Sequence, residues 1–206
     1  MHCLSNKLIA TFFALALLAM ATPLVQATPS VGEPAPEFTG TDSNGVSHKL
    51  SDFRGSNVVL EWTNHECPFT QKHYRTGNMQ QLQKEVAAQD IVWLSVVSSA
   101  PGKQGHVTPE QANELTKSRQ AAPTAVLLDS DGTIGRLYGA RTTPHMYVID
   151  PEGTLVYMGG IDDKPTADSA DIEGAKNYVR VALNALSEGQ PVESAVTRPY
   201  GCSVKY

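Results

Sequence analysis

A single cysteine closes the run VVLEWTNHEC, and a proline follows it directly: Cys67 and Pro68, at the head of PFTQKHY. The pattern places Cys67 where an apolar strand gives way to a helix. Pro68 suits the first helical position, where a missing amide hydrogen leaves no bond unmade. The free N–H groups of a first helical turn and the helix dipole favour negative charge. A thiol held there ionises below its free value of ~8.5 and becomes a nucleophile. His65, Lys72 and His73 strengthen that field if their side chains face the sulfur. The plain alternative is a buried apolar cysteine used as filler.

Two further residues are out of character for their elements. Glu61 interrupts the strand VVLEW, on the same face as Val59. A carboxylate on a central strand is unfavourable unless it is partnered. Burial raises its pKa and suits it to proton transfer, whereas an edge position leaves it in water. In RTTPHMYVID, Thr143-Pro144 leads straight into a strand although proline removes a ladder donor. A cis Thr143–Pro144 bond, making a tight turn, resolves that conflict.

These residues need elements to hold them. Residues 28–57 are rich in Pro, Gly, Ser and Asp, with short strand-like pieces in EFTGTD and VSHKL. NVVLEW is a buried strand. The helical stretch after Cys67 breaks at Gly77-Asn78, with Asn78 as cap of its second half. DIVWLSVV is the next strand. Thr108 caps a helix that has Pro109 at its first position and Gln111 as box partner. TAVLLD and HMYVID are strands, with the short helix IGRLYGA between them, and GTLVYMGG completes a hairpin with HMYVID. Residues 172–187 form a last helix, with Ala175, Tyr178, Val179, Ala182 and Leu186 on one face. The order gives an α/β fold: a central mixed sheet with helices on both faces, an N-terminal β extension and a C-terminal tail. DSDG, Asp129 to Gly132, is a turn, because the ligand spacing of a calcium loop is missing.

Composition sets the compartment. Residues 1–27 carry Lys7, an apolar run and a small-residue ending at Ala27, the pattern of a cleaved secretory signal peptide. The run is short for a spanning helix, which needs about 20 apolar residues. The expected organisation is a signal peptide over 1–27, one domain over 28–189 and a tail over 190–206 that carries Cys202. The product is periplasmic or secreted and not held in a membrane. With 16 basic against 21 acidic residues and no Lys/Arg cluster, nucleic acid is not the expected partner. Of the 3 cysteines, Cys3 leaves with the signal. Cys67 and Cys202 then meet an oxidising environment, too few for a disulfide scaffold but enough for one specific pair or two reactive groups. No cofactor is expected.

Together these features resemble the thioredoxin superfamily, and within it the redoxin branch, the alkyl hydroperoxide reductase / thiol-specific antioxidant group. VGEPAPEFTGTDSNGVSHKLSDFRGSNVVLEW is similar to the redoxin opening, and LLDSDGTIGRLYGARTTPHMYVIDPEGTLVYMGG to the second half of exported thioredoxin-like proteins. The resemblance implies a thioredoxin-like fold. It makes Cys67 the nucleophile of the family's Cys-x-x-Cys, with Pro68 inside the motif and Thr70 in place of the second cysteine. It makes Glu61 the buried proton relay, and Pro144 the cis-proline that, with Thr143, docks an extended substrate. The peroxidase pattern is incomplete. Asn64, not threonine, stands three residues before Cys67; Thr63 is one step too early, and Arg119 and Arg141 are only candidates for the site arginine.

The resemblance thus implies thiol–disulfide exchange with protein thiols or disulfides and an external thiol reductant. A weak peroxidase acting on small peroxides is the near variant. A Cu(I)- or Zn-binding metallochaperone, using Cys67 with His145 and His65 or His73, is a different class, and a redox-inactive binding module a third. In TRPYGCSVKY, Tyr200, Val204 and Tyr206 can dock on a surface and Gly201 allows a tight turn. Cys202 could then replace the thiol missing at Thr70 and attack a mixed disulfide on Cys67. A static bond, a bridge between two chains or an unpaired Cys202 are the other uses of such a tail.

Overall fold

The computed structural model describes residues 29–206, so the expected signal segment, with Cys3, lies outside the described residues. An N-terminal hairpin, β1 (Thr39–Thr41) and β2 (Ser47–Lys49), runs into a 3-10 turn, Leu50–Phe53. The main sheet follows with β3 (Val58–Trp62), β4 (Val92–Val97), β5 (Ala125–Leu128), β7 (His145–Ile149) and β8 (Leu155–Gly159). The short β6 (Thr142–Thr143) and β9 (Cys202–Ser203) form a separate pair. The helices are α1 (Pro68–Arg75), α2 (Asn78–Ala87), α3 (Pro109–Ser118), α4 (Thr133–Leu137) and α5 (Tyr178–Ser187).

The sheet order is β5-β4-β3-β7-β8, with β3/β4 and β4/β5 parallel and β3/β7 and β7/β8 antiparallel. This is the mixed α/β sheet expected. β3 is central and buried on both faces, which explains its nearly continuous apolar run. Val59, Trp93, Met146 and Val148 pack under α1, α2 and α5. Leu60, Trp62, Leu94 and Tyr147 face the other way, against α4 and the N-terminal extension. Ala112 of α3 meets Val97 beside the first of these cores.

Helix ends follow local chemistry. Thr108 caps α3 and exchanges bonds with Gln111, with Pro109 at the first position. Two expectations need correction. Gly77, not Asn78, occupies the cap of α2, because the chain turns there with φ of 75°, which glycine tolerates. The last helix starts at Tyr178, with the Asn177 side chain accepting from the Arg180 N–H. Residues 172–177 fall before it, so Ala175 is not on its face; a 3-10 turn, Ser169–Ile172, precedes instead.

Candidate active site

Cys67 caps α1, with the turn of residues 63–66 between it and β3. The Asn64 side chain accepts from the Glu66 N–H (2.9 Å) and the Asn64 carbonyl from the Cys67 N–H (3.1 Å). This tight local turn delivers the sulfur to the helix start, with exposed Pro68 at the first position. The Thr143–Pro144 bond is cis, and the turn sets the Thr143 carbonyl 3.0 Å from Cys67 Sγ, where it accepts the S–H. Both Thr143 and Pro144 are buried.

The tail supplies the remaining wall. β9 pairs antiparallel with β6, setting Cys202 opposite Thr143. The Cys202 N–H reaches Cys67 Sγ at 3.4 Å. Gly201 makes this approach possible: its φ is 133°, and a Cβ there would overlap the Thr143 carbonyl. Cys67 is 0% exposed and Cys202 half-buried, and both are free thiols. Burial pushes the Cys67 thiol up. The Cys202 side chain, Thr143 and the backbone N–H groups of Thr70 and Cys202 outweigh that and hold its pKa below the usual thiol value. Burial, followed by the bond to Cys67, pushes Cys202 up to about 12. Of the two free thiols, Cys67 is therefore the more acidic.

The tail is anchored along its length. The Met158 N–H donates to the Ala195 carbonyl (2.9 Å) and the Val204 N–H to the Arg141 carbonyl (3.0 Å). Tyr206 donates to the Ala140 carbonyl (2.8 Å). Tyr200 donates to Asp162 (2.5 Å), beside His73 (3.3 Å) and with Lys72 over its ring. Lys72 is buried on α1, donates to the Lys164 and Thr166 carbonyls and lies 4.0 Å from the other Asp162 oxygen. This Asp162 centre ties the helix behind Cys67 to the segment before Cys202.

Glu61 is fully buried beneath α1. Trp93 Nε1 (2.9 Å), Ser95 Oγ (2.9 Å), Tyr74 (2.9 Å) and Gln83 Nε2 (3.4 Å) donate to its carboxylate. Burial raises its pKa, against the lowering effect of the bonds from Trp93, Ser95 and Tyr74. Glu61 makes no hydrogen bond to Cys67; Tyr74, on the helix that Cys67 caps, is the link between them. The Thr70 hydroxyl is buried without a partner.

The other candidates are dispersed. Arg119 donates to the His65 carbonyl (3.0 Å) and stacks on Tyr74. Arg141 does not bond to the sulfur; its side chain lines a separate cavity with His145. His73 faces Tyr200 and Asn78. Among the described residues, no three His, Cys, Asp or Glu side chains converge as a metal site. The sequence reading missed Asp162, Trp93, Ser95 and Gln83. Ser95 had one usable signal, a small polar residue breaking an apolar strand, as Glu61 does in its neighbour.

A cysteine at a helix start, facing a cis-proline turn beside a central mixed sheet, is the arrangement of a thioredoxin-like protein. The chain belongs to the AhpC/TSA family, whose model matches residues 31–158. Cys67, Glu61 and Pro144 lie inside that match and Cys202 beyond it. Similar structures include a hypothetical protein from Sinorhizobium meliloti, with TM-score 0.73, 22% identity, and 87% of this chain and 96% of that one covered. An uncharacterized conserved protein from Geobacillus kaustophilus has TM-score 0.72 and 24% identity, covering 86% and 92%. The exposed lipoprotein thioredoxin of Streptococcus pneumoniae has TM-score 0.51 and 25% identity, covering 74% and 99%. No curated protein matches the chain.

Proposed function

We propose that this protein is an exported thiol–disulfide oxidoreductase in which Cys67 is the nucleophile and Cys202 the resolving thiol. The observation that carries the reading is the proximity of the two cysteines across the β6/β9 pair, with their pKa values displaced in opposite directions. The Cys67 thiolate attacks one sulfur of a disulfide, forms a mixed disulfide and expels the other sulfur as a thiolate, which takes up a proton. Cys202 loses its proton, attacks Cys67 Sγ and releases the second thiol. The substrate disulfide has then taken two electrons from the protein, which is left with a Cys67–Cys202 disulfide, and an external thiol reductant returns them. Glu61 serves as the proton reservoir behind α1, and Thr143 and Pro144 hold the sulfur and the incoming group, with Thr70 and Pro68 shaping the first helical turn. Residues 190–206 act as the segment that carries the second thiol. Export rests on the signal-like residues 1–27, and the lipoprotein thioredoxin likeness agrees with it.

The complete burial of Cys67 favours a second reading, with a small peroxide as oxidant. The thiolate then takes one peroxide oxygen to give a sulfenic acid and releases an alcohol or water. Cys202 condenses with the sulfenic acid, expelling water. Intact mass after treating the reduced protein with oxidised glutathione or peroxide tests both readings. Wild type should lose two hydrogens, and Cys202→Ser should accumulate a glutathione adduct on Cys67 in the first case and a sulfenic acid in the second. A stable glutathione adduct in the wild type, or thiols untouched by either oxidant, overturns the resolving role.

A further inference from the structure

A second cavity lies behind the tail, walled by the α4–β6 connection, the base of β7 and β8, and residues 196–199. Its volume is about 710 Å³. Three arginines line it, Arg136, Arg141 and Arg198. None forms an ion pair among the described residues, where the ion pairs belong to His48, Lys72, His73 and Arg180. Arg136 donates to the Asp131 carbonyl and stacks on Tyr206, while the Arg141 and Arg198 side chains make no hydrogen bond. Three uncompensated cations in one recess run against the charge of a chain with a formal net charge of −5.

His145, also in the lining, is 5% exposed. Its Nδ1 lies 3.3 Å from the Tyr147 hydroxyl, whose proton goes to the Tyr138 carbonyl, and accepts from the Arg141 backbone N–H (3.3 Å), which leaves the proton of the neutral ring on Nε2. Burial and the Arg141 charge hold the ring neutral, with its pKa lowered to about 3. Nε2 has no partner within the protein and is not among the sealed buried atoms, so this nearly buried donor opens onto the cavity. The charged and polar donors all suit an acceptor. An apolar strip faces them, Val196, 59% exposed, with Met158 and Pro199, while Thr197 and tyrosine side chains complete the lining.

We propose that this cavity is a binding site for a small amphiphilic anion, a carboxylate or phosphate head held by Arg141, Arg198 and His145 with an apolar body against Val196, Met158 and Pro199. Simple anions are too small to fill the space, and a neutral apolar molecule leaves the three cations unanswered. None of these groups bonds to Cys67.

Calorimetric titration of the purified protein with phenyl phosphate at low salt tests it, with benzoate as the carboxylate arm, inorganic phosphate as head alone and benzyl alcohol as body alone. Phenyl phosphate or benzoate should saturate one site, and the better of the two names the head. Inorganic phosphate and benzyl alcohol should bind more weakly. Arg141→Gln and Arg198→Gln should each weaken binding by about tenfold or more, the scale of a lost charge-assisted hydrogen bond. Cys67→Ser should bind as the wild type does, which separates this site from the thiol reading. Absence of saturable heat with either aromatic anion, variants that bind unchanged, or equal affinity for inorganic phosphate or benzyl alcohol overturns the proposal.

Discussion

Two buried carboxylates flank α1, and they are solved differently. Glu61 receives neutral donors from Tyr74, Gln83, Trp93 and Ser95, all supplied within one stretch of β3, α1, α2 and β4. Asp162, in the loop after β8, faces Lys72 and His73 from α1 and Tyr200 from the tail. The first centre belongs to the part of the chain that the family model covers; the second reaches beyond it. Adjacent residues of α1 serve the two, Tyr74 one and Lys72 with His73 the other. The Glu61 donors tie the sheet to its covering helices, whereas Asp162 ties α1 to the tail. Removing either centre should therefore have different consequences.

The largest separation should come from Gly201→Ala. Its Cβ meets the Thr143 carbonyl, so β9 cannot stay on β6. We expect alkylation of Cys67 to accelerate by roughly a hundredfold or more, as its cover is lost to local opening, while Trp93 fluorescence stays unchanged. An unaltered alkylation rate would show that the tail does not shield the sulfur. Next is Tyr200→Phe, which deprives Asp162 of a donor bond worth about 1.5–3 kcal/mol. Proteolytic cleavage after residue 195 should speed up in proportion, and Cys67 should become more accessible with it. Trp93→Phe should do the reverse. Loss of one donor to buried Glu61 costs about 1–3 kcal/mol, seen in the denaturation midpoint, with alkylation of Cys67 in the folded state unaltered.

The smallest effect is a difference in pH dependence. Burial, then the Lys72 charge, lowers His73 to about 3. The unfolded chain takes up that proton near 6.5, so the stability due to His73 is whole above 6.5 and is lost as pH falls towards 3. Glu61 is raised above 4.5, so its contribution is whole below 4.5 and is lost as pH rises through the raised value. Each alters the slope of stability against pH by up to about 1.4 kcal/mol per unit. His73→Gln should flatten the acid decline, and Glu61→Gln should steepen it. Chemical denaturation between pH 4 and 7 measures both slopes, and a shift of the same sign in both variants would remove the contrast between the two centres.

Much of the sheet was readable because its strands are short apolar runs bounded by turn residues, and the cap of α3 because Thr108, Pro109 and Gln111 act within one turn. Glu61 stood out for the same local reason. Its donors did not, since Trp93 reads as an ordinary core residue until β4 is registered on β3, with Ser95 opposite Glu61. Asp162 was invisible, because it looks like any loop acid and its partner Tyr200 lies 38 positions on. The start of α5 was misjudged because apolar spacing continues through residues that the chain uses for a 3-10 turn and a cap. Periodicity sees faces, not the point where the backbone begins to follow them.

The pairing of β9 with β6 also bears on the order in which the molecule is made. Thr143 meets Cys202 59 positions away, and Cys67 meets it 135 positions away. Contacts of such long range form late, after local helices and hairpins have brought their anchor points together. Cys67 therefore emerges early in synthesis, long before its counterpart exists. The cover over Cys67 is assembled as a closing step, and a chain stalled or cut short anywhere before Cys202 keeps that thiol bare.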